Sequence, residues 1–150
     1  MIENKVFLGI SAGIIVNIIA NIIDYFLYTL SLNDYLAWHI AASIYFPLDQ
    51  LKTFPALFLG IILDYILASI IGIIIVYILH YTGTDHYIMK AIVVGTIAVL
   101  LVDGIILGFL PETVDSFTPD HLIEHIIIAI FIAWISIKLG KETLTANRPT

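Results

Sequence analysis

The chain has no cysteine and few charges. Without thiols, disulfides, zinc–thiolate sites and iron–sulfur clusters are excluded. Charged residues make up 12% of the 150 residues, against about 25% in soluble domains. Only six are Lys or Arg, and the net charge is −6. No basic patch exists for nucleic acid. Glycine-rich strand–turn–helix signals for phosphate or dinucleotide binding are missing, and no Ser-His-Asp arrangement stands out.

What is there is apolar. Hydrophobic residues reach 61%. So short a chain cannot cover that much apolar surface with polar groups, so the composition predicts a membrane-embedded protein. A spanning helix needs about 20 mostly apolar residues. Four runs qualify: Val6–Leu30, Pro55–Tyr81, Tyr87–Leu110 and Pro119–Leu139. The first is too long and too polar inside for a signal peptide, so it is read as a permanent helix. Pro55 and Pro119 stand at helix starts, where a missing N–H costs little. Thr118 suits the N-cap before Pro119, with Asp120 in the first turn. Pro111 helps to stop the third span.

One further apolar stretch, Tyr35–Phe46, is too short to span. Its Trp38 and tyrosines suit a bilayer interface. The fold expected is all-α: a polytopic membrane protein, a four-helix transmembrane bundle with a short interfacial or re-entrant helix at about 34–46, between spans one and two. Residues 1–141 form one domain, and 142–150 form a polar, disordered tail. With four spans, Lys5, Lys90, Lys138, Lys141 and Arg148 share one side and only Lys52 takes the other. The positive-inside rule then places both termini in the cytoplasm, in a plasma (inner) membrane. Asp34, Asp49, Glu112, Asp115 and Asp120 fall on the outer side.

The informative residues are the charges inside the spans. Asp24, Asp64, Asp103 and Glu124 lie one on each helix, with His121 and His125 beside Glu124. Intramembrane ionisable groups are costly and usually face inward. At about 1.5 Å per residue, Asp24, Asp64, Asp103, Glu124 and His125 lie roughly 8–14 Å from the outer ends of their spans. One layer in the outer half of the membrane therefore holds them all. Asn17, Asn21, Asp24 and Tyr28 recur as one stripe of the first helix. Gly60, Asp64, Ala68 and Gly72 form a small-residue stripe that allows close packing in lipid. Gly104 and Gly108 adjoin Asp103, Thr96 lies two turns before it, and Ala129 and Ser136 continue the His121–His125 side.

Three readings follow. The first is a metal or ion centre. Inward carboxylates with Glu and His one turn apart build metal sites in bundle cores, and this ligand set suits zinc, manganese or iron. Asp24, Asp64, Asp103, His121, Glu124 and His125 would be its ligands. Within this reading, His121-Leu-Ile-Glu124-His125 fits H-x-x-E-H, and a small metal hydrolase would use Glu124 as base to a metal-bound water. The second is a cation or proton site, with Asn17, Asn21 and Thr96 lining a path. The third is a structural or accessory subunit, whose polar groups only hold helices together at about 1 kcal/mol each. The partners expected are the lipid bilayer and either a second copy or a larger membrane complex, with no nucleic acid. His39 could reach the cluster from above or sit at headgroup level. His80, Asp85 and His86 are explained by a polar, Gly-containing turn.

Overall fold

The computed structural model describes residues 4–101, 119–140 and 143–144, with side chains of the last long helix described from Leu122 onward. The described residues are helical, with no strand among them. Helix α1 spans Lys5–Thr29, α2 Ala37–Ala42, α3 Phe54–Thr82, α4 Tyr87–Val99 and α5 Pro119–Leu139, with a single 3-10 turn at Leu48–Gln50.

Local chemistry sets the ends. Asn4 caps α1, its Oδ1 accepting from the backbone N–H groups of Val6 (2.9 Å) and Phe7 (3.3 Å), two of the donors a helix start leaves unpaired. Pro55 occupies the first turn of α3. Gly83, at φ 86°, ends that helix in backbone that a side chain rarely adopts. Lys90 then reaches back to the carbonyls of Thr82 (3.2 Å) and Gly83 (2.8 Å). A cation there also opposes the negative end of the α3 dipole.

Helix α1 packs mainly on α3, and α4 on α5; α2 lies against α3. The α1–α3 pair is antiparallel and touches at backbone distance. A Cβ on Gly72 would strike the Gly9 carbonyl oxygen, and one on Gly13 would strike that of Ala68. Two turns further along, a Cβ on Gly60 would strike the Trp38 carbonyl of α2. The small-residue stripe of α3 thus does what its spacing predicted, against two different helices. At the other end of the bundle, Gly140 lies against the Leu8 side chain. Lys5, Lys90 and Lys138 therefore sit at one end, and α2, Asp34, Asp49 and Lys52 at the other.

The outer surface is apolar, and a few polar side chains are buried within an otherwise apolar interior. Ile22 is 65% exposed and Phe58 60%, while Asp24 is 6% exposed. Such a surface costs too much in water over this area, and the apolar helices fit a membrane protein. Three helices, α1, α3 and Leu122–Leu139 of α5, are long and apolar enough to cross a bilayer. Helix α4 is shorter. It covers the first half of the predicted span Tyr87–Leu110, whose remainder at 102–110 lies outside the described residues. Gly104 and Gly108 lie in that part, and Thr118 is also outside.

Two expectations on element limits are revised. The helix expected over Tyr35–Phe46 is only six residues long. After it, the N–H groups of Tyr45 and Phe46 both turn back to the Ala42 carbonyl, and Pro47 cannot donate to continue the ladder. Within the tail expected to be disordered, Thr143 and Leu144 are buried, Leu144 completely. The Leu144 carbonyl lies 3.3 Å from His80 Nδ1. An apolar side chain in a polar tail gains by covering the core next to Leu8 and Leu79.

Candidate functional site

Asp64, at mid-α3, meets two carboxamides from α1. Asn17 and Asn21 stand one turn apart on one helix face, so both can address a single group opposite. Their Nδ2 atoms donate to the same oxygen, Asp64 Oδ2, at 2.7 and 2.8 Å. Both asparagines are buried, and Asp64 is half-buried. The seam that brings them there is continuous: Gly9 opposite Gly72, Gly13 opposite Ala68, then Asn17 and Asn21 opposite Asp64.

Asp24 lies one turn beyond Asn21, towards α2. Its oxygens have separate donors. Asn33 Nδ2 reaches Oδ1 at 2.6 Å, and the backbone N–H of Ala37 reaches Oδ2 at 2.9 Å. Ala37 is the first residue of α2, so Asp24 anchors that helix from another element. His39 adds a second hold. Its Nδ1 accepts from the Leu36 N–H at 3.1 Å, which makes Nε2 the protonated nitrogen in the neutral ring. The ring is 4% exposed and lies among Tyr28, Tyr35 and Trp38, with centroids 6.2–6.3 Å away. Burial holds its pKa below the ordinary histidine value, and the Lys52 ammonium pushes the same way, against Asp24. Lys52 itself lies over the Tyr28 ring, 5.9 Å from its centroid. Beside it an open cavity of about 460 Å³ is lined by Asp34, Tyr35, Leu48, Asp49, Leu51 and Lys52.

Of the residues singled out for a shared centre, Asp24 and Asp64 come near enough for their charges to interact. Glu124 and His125 lie on α5, where the His125 carbonyl and Ile126 pack against Gly95 of α4. Thr96 is half-buried on α4 beside that contact. Asp103 and the His121 side chain lie outside the described residues. Among the described residues no three His, Asp or Glu side chains are grouped closely enough to hold a metal ion. His80 is buried next to Leu144, and His86 takes φ 53° at the start of α4.

Sequence reasoning found the α1 stripe but missed Gly9 and Gly13, which continue it at steps of four. Extending the Asn21–Asn17 spacing backwards reaches both. It also missed Asn33, a loop residue with no periodic signal. No family model matches the chain, and neither a curated protein nor a solved structure is significantly similar to it.

Proposed function

We propose that the chain is an integral membrane protein of four spans, both termini cytoplasmic, whose Asn17–Asn21–Asp64 centre binds and releases a proton inside the bilayer. The observation that carries this reading is the pair of carboxamide donors on one carboxylate oxygen. Burial favours the neutral acid, while N–H donors favour the carboxylate. The two influences oppose each other. A carboxamide serves either form. It offers Nδ2 to a carboxylate and, turned over, Oδ1 to a protonated acid. Two of them on one carboxyl make a centre that stays satisfied through a change of charge.

The same reading explains why a divalent metal is less well supported. Both oxygens of Asp24 and Oδ2 of Asp64 already accept N–H donors, which suits carboxylates held by hydrogen bonds. A metal hydrolase would instead draw on Glu124 and His125 with Asp103 and His121. Metal analysis of purified protein, with His125→Ala as control, separates that case. A purely structural role has one observation in its favour, namely that Asp24 anchors α2.

The test is infrared titration of the protein in lipid. Asp64→Asn keeps an oxygen that can accept from both asparagines, so the α1–α3 contact stays satisfied. The wild type is expected to gain and lose a protonated-carboxyl band that the variant lacks. A midpoint that moves with sodium concentration marks a monovalent cation as competitor for the same oxygens. A spectrum in which wild type and variant titrate identically ends the proposal.

A further inference from the structure

The centre at Asp64 leaves a second buried carboxylate, Asp24, without a functional part. Its surroundings are asymmetric. Towards α2, further polar groups lie between Asp64 and the open cavity. Asp34 lines the open cavity; Asn33, its neighbour in sequence, donates to Asp24; and Asn21, one turn from Asp24 on the same face, donates to Asp64. Towards the lysine end the file stops at Asn17. The next positions along the seam are Gly13 against Ala68 and Gly9 against Gly72, in backbone contact. That contact leaves no room for water between the two backbones, and the one hydroxyl beside it, on Ser69, is turned back to the Tyr65 carbonyl of its own helix.

Resting on the proton reading of Asp64, we infer that Asp64 exchanges its proton with one face of the membrane only, the α2 face, and that Asp24 relays it. A proton from cavity water binds the Asp24 carboxylate, then leaves it for the Asp64 carboxylate, so Asp24 returns to its starting charge. The groups that bear on Asp24 are Asn33 of the following loop, His39 of α2 and Asp64 of α3; Lys52 and Tyr28 bear on His39. Helix α2 covers the route, because its first N–H is held by the relay carboxylate itself. The polar stripe of α1 is then a blind passage. It suits a proton sensor or a coupling site for a partner, and it does not lead across.

The experiment uses the full chain in vesicles sorted for a single orientation. The Asp64 carboxyl band is followed after a pH jump on either side. A response only to jumps on the α2 side is expected. Asp24→Asn keeps a carbonyl for the Ala37 N–H, and its Nδ2 can donate to Asn33 once that amide turns over, so α2 stays anchored, but it cannot take up a proton. It is expected to slow the response by about tenfold or more, as loss of a positioned proton carrier does. Equal responses from both faces overturn the inference, as does an unchanged rate in Asp24→Asn. If that variant fails to fold, the sidedness of the wild type still decides. A wild type in which Asp64 never titrates overturns the proton reading itself, and the route with it.

Discussion

Asn17 and Asn21 show how much one residue contributes here. Each places one N–H on Asp64, and hydrogen bonds between membrane helices are worth about 1 kcal/mol or less. Asn17→Ala and Asn21→Ala are each expected to lower stability by about that amount, read as unfolding free energy in lipid. Because both address one oxygen, the double variant is not expected to be the sum. His39 carries a pH dependence. Its pKa is lowered in the folded chain, so the folded state binds fewer protons than the unfolded one. Its contribution is complete above the ordinary value of about 6.5 and is lost as pH falls from there through the folded value. Protonation would also turn Nδ1 into a donor facing the Leu36 N–H. Trp38 lies beside the ring and can report the change once Trp134 is replaced by Phe. Its emission is expected to hold steady above about pH 6.5 and to change below it. His39→Asn puts an acceptor oxygen near the Nδ1 position and should flatten the profile. At this scale the asparagines were legible because they recur with the helical period. Asn33 and the anchoring role of Asp24 were not, because their partners are a loop side chain and a backbone N–H some distance along the chain.

Among elements, α1 and α3 form the tightest contact. Gly13→Ala would place a methyl against the Ala68 carbonyl, which is backbone and cannot give way without moving a helix. Overpacking of this kind costs about 1–3 kcal/mol. Gly95→Ala is expected to be milder. Its nearest neighbour is the Ala129 methyl at 3.0 Å, with the His125 carbonyl at 3.1 Å, and α4 can shift slightly on α5. Thermal unfolding in detergent should rank Gly13→Ala well below Gly95→Ala. The limits of α1, α3 and α5 were close to readable from run length and helix-start prolines. The limits of α2 were not, since apolar content says little about where six residues coil and the next six turn. The burial of Leu144 escaped for a related reason. One apolar residue in a polar tail has no period, and its value lies in the particular gap it fills beside Leu8.

The whole molecule is ordered along its length: Lys5, Lys90 and Lys138 at one end, α2 with its acidic loops and Lys52 at the other, and a polar seam towards the α2 end. The absence of cysteine makes this arrangement directly testable. Single cysteines at Asn4 and Asp85 are expected to react with an impermeant thiol reagent from one face of intact cells or vesicles, and one at Asp49 from the opposite face. A reagent that reaches Asn4 and Asp49 from the same side would contradict the proposed topology. The composition alone indicated a membrane protein, because no soluble packing hides so many isoleucines. The nearness of Asp24 and Asp64 was legible too, yet depth says nothing about rotation around a helix. Rotation decides that Asp64 faces two amides and Asp24 faces a loop.

The pairing of Asn17 with Asp64 has a consequence in time. The two residues are 47 positions apart, and a ribosome adds about 5–20 residues per second. For roughly 2–9 s at that speed, newly made α1 carries two asparagines whose partner, Asp64, does not yet exist. Nothing in lipid can satisfy them during that interval. The first helix must therefore be sheltered by the insertion machinery, or linger at its edge, until α3 arrives. On the proposed topology, the unit expected to enter the bilayer is the α1–α3 hairpin, and a chain released before Asp64 is made is expected to be a substrate for quality control.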